Sequence, residues 1–134
     1  NDARGEISGI TFATQKAHIV RAMLESMAYN TKAVFDEMRK NKLKFSLISV
    51  DGGGSNNDFL LQFLADMLNH DVVRSKNSEA TVMGAIFVAM LSLKIIDKET
   101  ILKLTSGKEV FVPKMTEAQR NMFYDGWIKA VKKV

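Results

Sequence analysis

Residues 44–50, KFSLISV, end in an apolar, β-branched run that stops at Asp51-Gly52-Gly53-Gly54; beyond it Phe59, Leu60, Phe63, Leu64, Met67 and Leu68 recur at helical spacing. A strand, a glycine turn and an amphipathic helix in that order constrain the chain more than any other feature, because this is how the crossover unit of an α/β fold begins. Asn56 or Asn57 is positioned to cap the helix and Asn69-His70 to close it, and residues 71–74 have the composition of a short second strand.

The flanking segments extend the same alternation. Residues 5–12, GEISGITF, predict a short strand or extended segment with glycines where backbones approach closely. Over residues 15–39, Val20, Met23, Leu24, Met27, Val34, Phe35 and Met38 follow helical spacing, with Thr14 available as a cap. Ser78, Glu79 and Thr81 open a helix over residues 80–93 that is apolar nearly all round, which predicts burial against a sheet or a second layer; Gly84, Ala85 and Ala89 permit close approach. Residues 97–104 predict a short helix and residues 110–113 an extended segment. A final helix over 116–132 presents Met122, Phe123, Trp127, Ile128 and Val131. Two or three strands with at least one right-handed parallel crossover are expected. So small a sheet is uncomfortable alone, and further strands are expected upstream in a longer parent protein.

At 134 residues, 46% of them hydrophobic and 25% charged, the chain is of single-domain size. A chain of this size buries roughly 68% of its unfolded surface, enough for one core without staples. The absence of cysteine excludes a disulfide framework, a zinc ribbon and a thiol nucleophile, and suits a reducing compartment such as the cytoplasm. No membrane partner is expected, because the longest apolar run, residues 82–93, is interrupted by Gly84 and Ser92 and is too short to span a bilayer; the opening NDARGEISG does not have the order of a signal peptide. No nucleic-acid partner is expected from the net charge of +4, because the lysines are dispersed and their densest group, Lys129, Lys132 and Lys133, reads as a solvated helix face.

The glycine turn is the place to seek chemistry, since ligands of open α/β sheets bind outside the carboxyl ends of strands. Glycines let a flat or anionic ligand approach the backbone, and the following helix offers amide donors at its start, properties that suit an adenine ring or a phosphate. The segment lacks the Gly-Lys-Ser/Thr ending of a Walker A loop and the GxGxxG spacing of a dinucleotide fold. From the residues alone, a tight structural turn and a ligand site both remain open. Asp51 is expected to fix the turn through backbone hydrogen bonds, and Gly52 to give it room.

A family resemblance narrows the choice. GEISGITFATQKAHIVRAMLE, residues 5–25, is similar to the second signature of the FGGY carbohydrate kinases at Gly5, Ile7, Gly9, Ile10, His18, Ile19, Ala22, Met23, Leu24 and Glu25. SVDGGGSNNDFLLQFLADML resembles the adenosine motif of that family in its glycerol-using branch, SEATVMGAIFVAML the helix that follows, and VFVPKMTEAQRNMFYDGWIKAV the closing segment. The resemblance implies an actin-like, ribonuclease-H-like α/β ATPase fold, of which residues 1–134 would be a late part of the second domain, a small sheet packed with helices. It implies ATP or ADP with Mg2+ in a cleft, transfer of the γ-phosphate to a terminal hydroxyl of glycerol, and a homo-oligomer whose amino-terminal domain is the partner of this segment. Xylulose or gluconate is the substrate in sister branches, and a non-catalytic binding or assembly module is the remaining alternative. By alignment, Gly53 corresponds to the glycine whose backbone contacts the nucleotide and Asn57 to the asparagine that hydrogen-bonds it, with Gly52 beside them. Gly54-Ser55-Asn56 stands where a small apolar residue is frequent, and Asp58 where a second asparagine is common. The family's general base, polyol-binding residues and phosphate loops would all precede residue 1, so no catalytic residue is assigned.

Other conspicuous side chains have plainer explanations. His18 and His70 are far apart with no carboxylate at ligand spacing, so no metal site is expected: His18 is expected to make a structural hydrogen bond and His70 to lie in a helix-ending turn. Met23, Met27, Met38, Met67, Met83 and Met90 are expected in the core. Phe123, Tyr124 and Trp127 are expected to pack onto the domain, and Arg21 and Glu25 to form a helix ion pair.

Overall fold

A computed structural model describes residues 5–75, 80–105 and 108–132. Ser78 and Glu79, expected at the opening of the third helix, and Lys133 lie outside the described residues. The elements follow the order α1 (Lys16–Lys40), β1 (Ile48–Val50), a 3-10 turn (Gly53–Asn56), α2 (Asp58–Leu68), β2 (Val72–Ser75), α3 (Ala80–Ser92), α4 (Lys98–Thr105), β3 (Lys108–Phe111) and α5 (Glu117–Val131). The sheet runs β1-β2-β3. β1 and β2 are parallel, with Ser49 opposite Val73, so β1-α2-β2 is the parallel crossover that the glycine turn predicts. β3, expected only as an extended segment, pairs antiparallel with β2, Val110 opposite Val73.

Helix α2 is the centre of the molecule. Leu60, Leu61, Phe63, Leu64, Ala65, Met67 and Leu68 are all buried. Burying an aliphatic side chain of this size stabilises the fold by roughly 1.5–3 kcal/mol. The helix lies between α1 on one side and the sheet on the other, with α5 against it. Its ends are local: Asn57 caps the start, its Oδ1 accepting from the Leu60 amide at 3.1 Å. Asn69 ends it in the left-handed region at φ 48°, a conformation asparagine tolerates.

An aromatic cluster ties α1, α2 and α5 together. The Tyr29 ring meets Phe63 edge-on at 5.5 Å and stacks on Trp127 at 5.8 Å, and Trp127 stacks on Tyr124 at 5.5 Å. The aromatics of the last helix therefore pack onto the domain as expected. Buried polar groups hold the segment before α5: Asp66 Oδ1 accepts from the amides of Lys114 at 2.5 Å and Met115 at 3.0 Å. Arg120, 9% exposed, donates to the Asp66 carbonyl at 2.6 Å, to Asn69 Oδ1 at 2.8 Å and to the Met115 carbonyl at 3.1 Å.

Several expectations are corrected. Of the two expectations for residues 5–12 the strand is not formed over residues 5–11, and a Cβ at Gly5 or Gly9 would meet nothing within 4 Å, so no close approach on that side calls for glycine there. Helix α1 is capped at Gln15, whose amide donates to His18 Nδ1 at 3.2 Å; Thr14 instead turns back, its Oγ1 accepting from the Thr11 amide at 2.9 Å. Helix α3 is not buried, for Val82, Ile86 and Val88 are exposed, and among its described side chains Phe87 alone is buried, at 9% exposure. The physical reason is that no other described element packs extensively against it. The methionines divide: Met67 is buried, whereas Met23, Met27 and Met38 lie exposed along α1. Among the described residues, no helix is long and apolar enough to cross a membrane.

Candidate functional site

At the end of β1 the chain turns at Gly52, with φ 80° and ψ −179°. A side chain is strained at that φ, so glycine is required there by the backbone. The next four residues make one 3-10 turn that leads into α2. Gly53 differs from Gly52, having an ordinary φ and nothing within 4 Å of where a Cβ would stand. Its freedom from a side chain leaves open space in front of an exposed loop, where a ligand can touch the backbone. Gly54 is in ordinary contact, 3.9 Å from Leu60 Cδ2.

Ser55 holds the turn. It is 1% exposed, and both its amide, at 3.0 Å, and its Oγ, at 2.7 Å, donate to the Gly52 carbonyl. Asp51, expected to do this, is exposed and makes no side-chain hydrogen bond among the described residues. A carbonyl needs a donor, which the Ser55 amide and hydroxyl supply and an ionised carboxylate cannot, so the turn is held without Asp51. Asn57 is half-buried with Oδ1 committed to the cap, so its Nδ2 is the part of the amide available for a further partner. Gly52, Gly53 and Asn57 thus lie together on one loop outside the carboxyl end of β1, where α/β sheets bind ligands.

Arg74, near the end of β2, also faces this loop and carries no signal in the sequence, because its partners are distant along the chain. It donates to the Ser55 carbonyl at 2.9 Å, to Asp58 Oδ1 at 2.7 Å and, through Nε, to Glu109 Oε2 at 3.1 Å. Its second terminal nitrogen also reaches Glu109 Oε2, and the guanidinium lies 5.3 Å from the centre of the Phe111 ring. Hydrogen bonds to Glu109 and then to Asp58 raise its already high pKa.

A second concavity lies along α1. It encloses about 730 Å³ and is lined by Glu25, Tyr29, Asn30, Phe123, Trp127 and others, none from the loop. Arg21 Nε meets Glu25 Oε1 at 2.6 Å, the expected ion pair, and Tyr29 donates to Glu25 Oε2 at 3.2 Å. Burial, followed by the Glu25 charge, pushes the Tyr29 phenol well above the ordinary tyrosine value. His18 and His70 serve the backbone: the His70 ring lies 3.2 Å from the Phe45 carbonyl and 3.1 Å from that of Asp71.

A β-α-β crossover with a glycine turn at the strand end defines a class of α/β ligand-binding domain. Comparison with known proteins narrows it: residues 1–93 match the carboxy-terminal domain of the FGGY family of carbohydrate kinases. The chain belongs to that family. A glycerol kinase of Shewanella piezotolerans is 44% identical over 97% of this chain and 27% of its own length. One of Thermococcus kodakarensis is 44% identical over 98% of this chain and 26% of its own. Among solved structures, Plasmodium falciparum glycerol kinase with ADP superposes with a TM-score of 0.83 at 34% identity, covering 98% of this chain and 27% of that one. A ligand-bound xylulose kinase from Lactobacillus acidophilus gives 0.69 at 26% identity, over 92% of this chain and 25% of that one. The fold is that of part of the actin-like carboxy-terminal domain of these kinases, and the chain spans about a quarter of the length of the curated relatives it matches.

Proposed function

We propose that residues 1–134 form part of the carboxy-terminal domain of an ATP-dependent, cytoplasmic kinase that phosphorylates glycerol, and supply one side of its nucleotide site. The observation that carries this is the loop of residues 51–57: a turn that only glycine can make at Gly52, an open backbone at Gly53 and a free amide nitrogen on Asn57. Similarity to an ADP-bound glycerol kinase, at a higher identity and TM-score than to the xylulose kinase, supports both the nucleotide and the polyol.

In this reading Gly53 offers its backbone to the adenosine moiety, Asn57 Nδ2 donates a hydrogen bond to it, and Gly52 shapes the turn. Mg2+ would enter with the phosphates, as is usual for an ion bound through one or two carboxylates and the nucleotide itself. Phosphoryl transfer needs positioned phosphates, a divalent ion and an oriented nucleophile held together. This chain contributes orientation of the nucleotide only, and alone it is expected to show no kinase activity with ATP and glycerol above a heat-treated control. The exposed apolar surface of α3 and α1 is the face that the rest of the kinase, including its amino-terminal domain, would cover, within an assembly that is a homo-oligomer.

Titration of ADP into the chain, followed by amide chemical shifts, tests the nucleotide site. Shifts centred on residues 51–58 are expected. A folded sample whose shifts cluster elsewhere, for instance around Tyr29 and Trp127 in the α1 cleft, would overturn the assignment.

A further inference from the structure

The loop read above as a nucleotide site is not held only by its own chain neighbours. Ser55 and Asp58 flank Asn57, and both are gripped by one side chain from the adjacent strand: Arg74 donates to the Ser55 carbonyl at 2.9 Å and to the Asp58 carboxylate at 2.7 Å. Ser55 in turn binds the Gly52 carbonyl through its amide and its hydroxyl, so the grip extends from β2 through Ser55 to the turn glycine. The far edge of the guanidinium is fixed by Glu109 on β3, and its plane lies over Phe111. Four constraints from three elements leave the fork one orientation.

We propose that Arg74 is the positioning residue of the nucleotide loop, setting where Asn57 Nδ2 and the Gly53 backbone stand before nucleotide arrives; this rests on the loop being that site. The two carboxylates argue for the role. Their side chains are 72% and 57% exposed, and ion pairs so exposed contribute little to global stability. What a planar fork adds is geometry: it can bind a carbonyl and a carboxylate on one nitrogen while engaging a second carboxylate on its other edge, which an ammonium cannot do. The network therefore governs the local placement of the loop more than the strength of the core.

The test is Arg74→Lys in the 134-residue chain, which keeps the charge and removes the fork. Exchange of the Ser55 and Asn57 amides, bonded to the Gly52 and Gly54 carbonyls, is expected to accelerate on the order of tenfold, with a thermal midpoint near that of the wild type. ADP affinity is expected to fall by a similar factor. Asp58→Asn, a milder change that leaves the fold intact, is expected to move both readouts in the same direction by less. Unchanged exchange at Ser55 and Asn57 in Arg74→Lys overturns the positioning role whether or not ADP binds. Accelerated exchange with ADP affinity unchanged, or with no ADP binding even by the wild type, keeps the grip on the loop and overturns the nucleotide reading. A lowered midpoint with uniform acceleration across all amides would make Arg74 a plain stability residue and also sink the proposal.

Discussion

Helices α2 and α3 are both strongly apolar, yet α2 is buried along nearly its whole length and α3 stands largely bare. Seven hydrophobic residues of α2 lie in the core, whereas Val82, Ile86 and Val88 of α3 face solvent at 55%, 44% and 65% exposure. The difference teaches that apolar composition records what a helix is built to touch, while burial records what is present to touch it. Helix α2 has α1, the sheet and α5 around it, and α3 has no comparable neighbour among the described elements.

The contrast can be broken most directly at Leu61, which is fully buried at the centre of α2. Leu61→Ala is expected to lower stability by about 2–5 kcal/mol, read as a shift of the urea midpoint. A loss near zero would mean that the core is elsewhere. Arg120→Ala removes the donor that satisfies the Asp66 and Met115 carbonyls and Asn69. Its expected cost is about 1–3 kcal/mol, since buried acceptors are left without partners; a neutral result would show that water enters behind α5.

Next in size are the two glycines of the loop. Gly52→Ala, forced to hold φ at 80°, is expected to cost about 1–2 kcal/mol. Gly53→Ala, with open space and an ordinary φ, is expected to stay within about 0.5 kcal/mol in stability while weakening ADP binding. Equal thermal midpoints for the two variants would refute the distinction between a glycine the fold needs and one the ligand needs.

The α1–α5 cluster supplies a pH-dependent test of burial. The Tyr29 phenol titrates higher in the folded chain than in the unfolded one, so its contribution is fully present below the ordinary value near 10 and is lost as pH rises through the folded-state value. Tyr29→Phe is accordingly expected to lose less stability than the wild type at alkaline pH, with the two pH profiles parallel below it. Ultraviolet titration showing Tyr29 ionising with the unfolded chain's tyrosines would contradict this. The smallest effect is expected on α3: Val88→Ala should change the urea midpoint by no more than about 0.5 kcal/mol, and Val88→Lys should reduce concentration-dependent sedimentation. A large loss of stability at Val88 would show that α3 is covered after all.

Much of this was legible in the residues. The helices over 15–39, 80–93, 97–104 and 116–132 and the one presenting Phe59 to Leu68 follow from spacing, and a cap by Asn56 or Asn57 from a short side chain that reaches the next turn, which the structure resolves to Asn57. The failures have a common form. Thr14 and Gln15 compete for one helix start, and the choice fell to Gln15 through the His18 ring one turn on. Residues 5–11 have the composition of a strand but no strand beside them among the described residues, and a ladder needs a partner. Asp51 was expected to hold the turn, but the group in need of a partner is the Gly52 carbonyl, which requires a donor that Ser55 supplies and a carboxylate does not.

The sequence alone determined the local grammar: where helices run, that a glycine turn follows the first strand, and that Asn56 or Asn57 caps the helix after it, because these depend on residues within a few positions of one another. Tertiary structure alone decided that Arg74 grips Ser55, Asp58 and Glu109, that Asp66 and Arg120 hold the segment before α5, and that α3 is left bare. Those contacts join positions 16 to 54 residues apart, or depend on the absence of a neighbouring surface, and no local pattern of spacing or propensity encodes either.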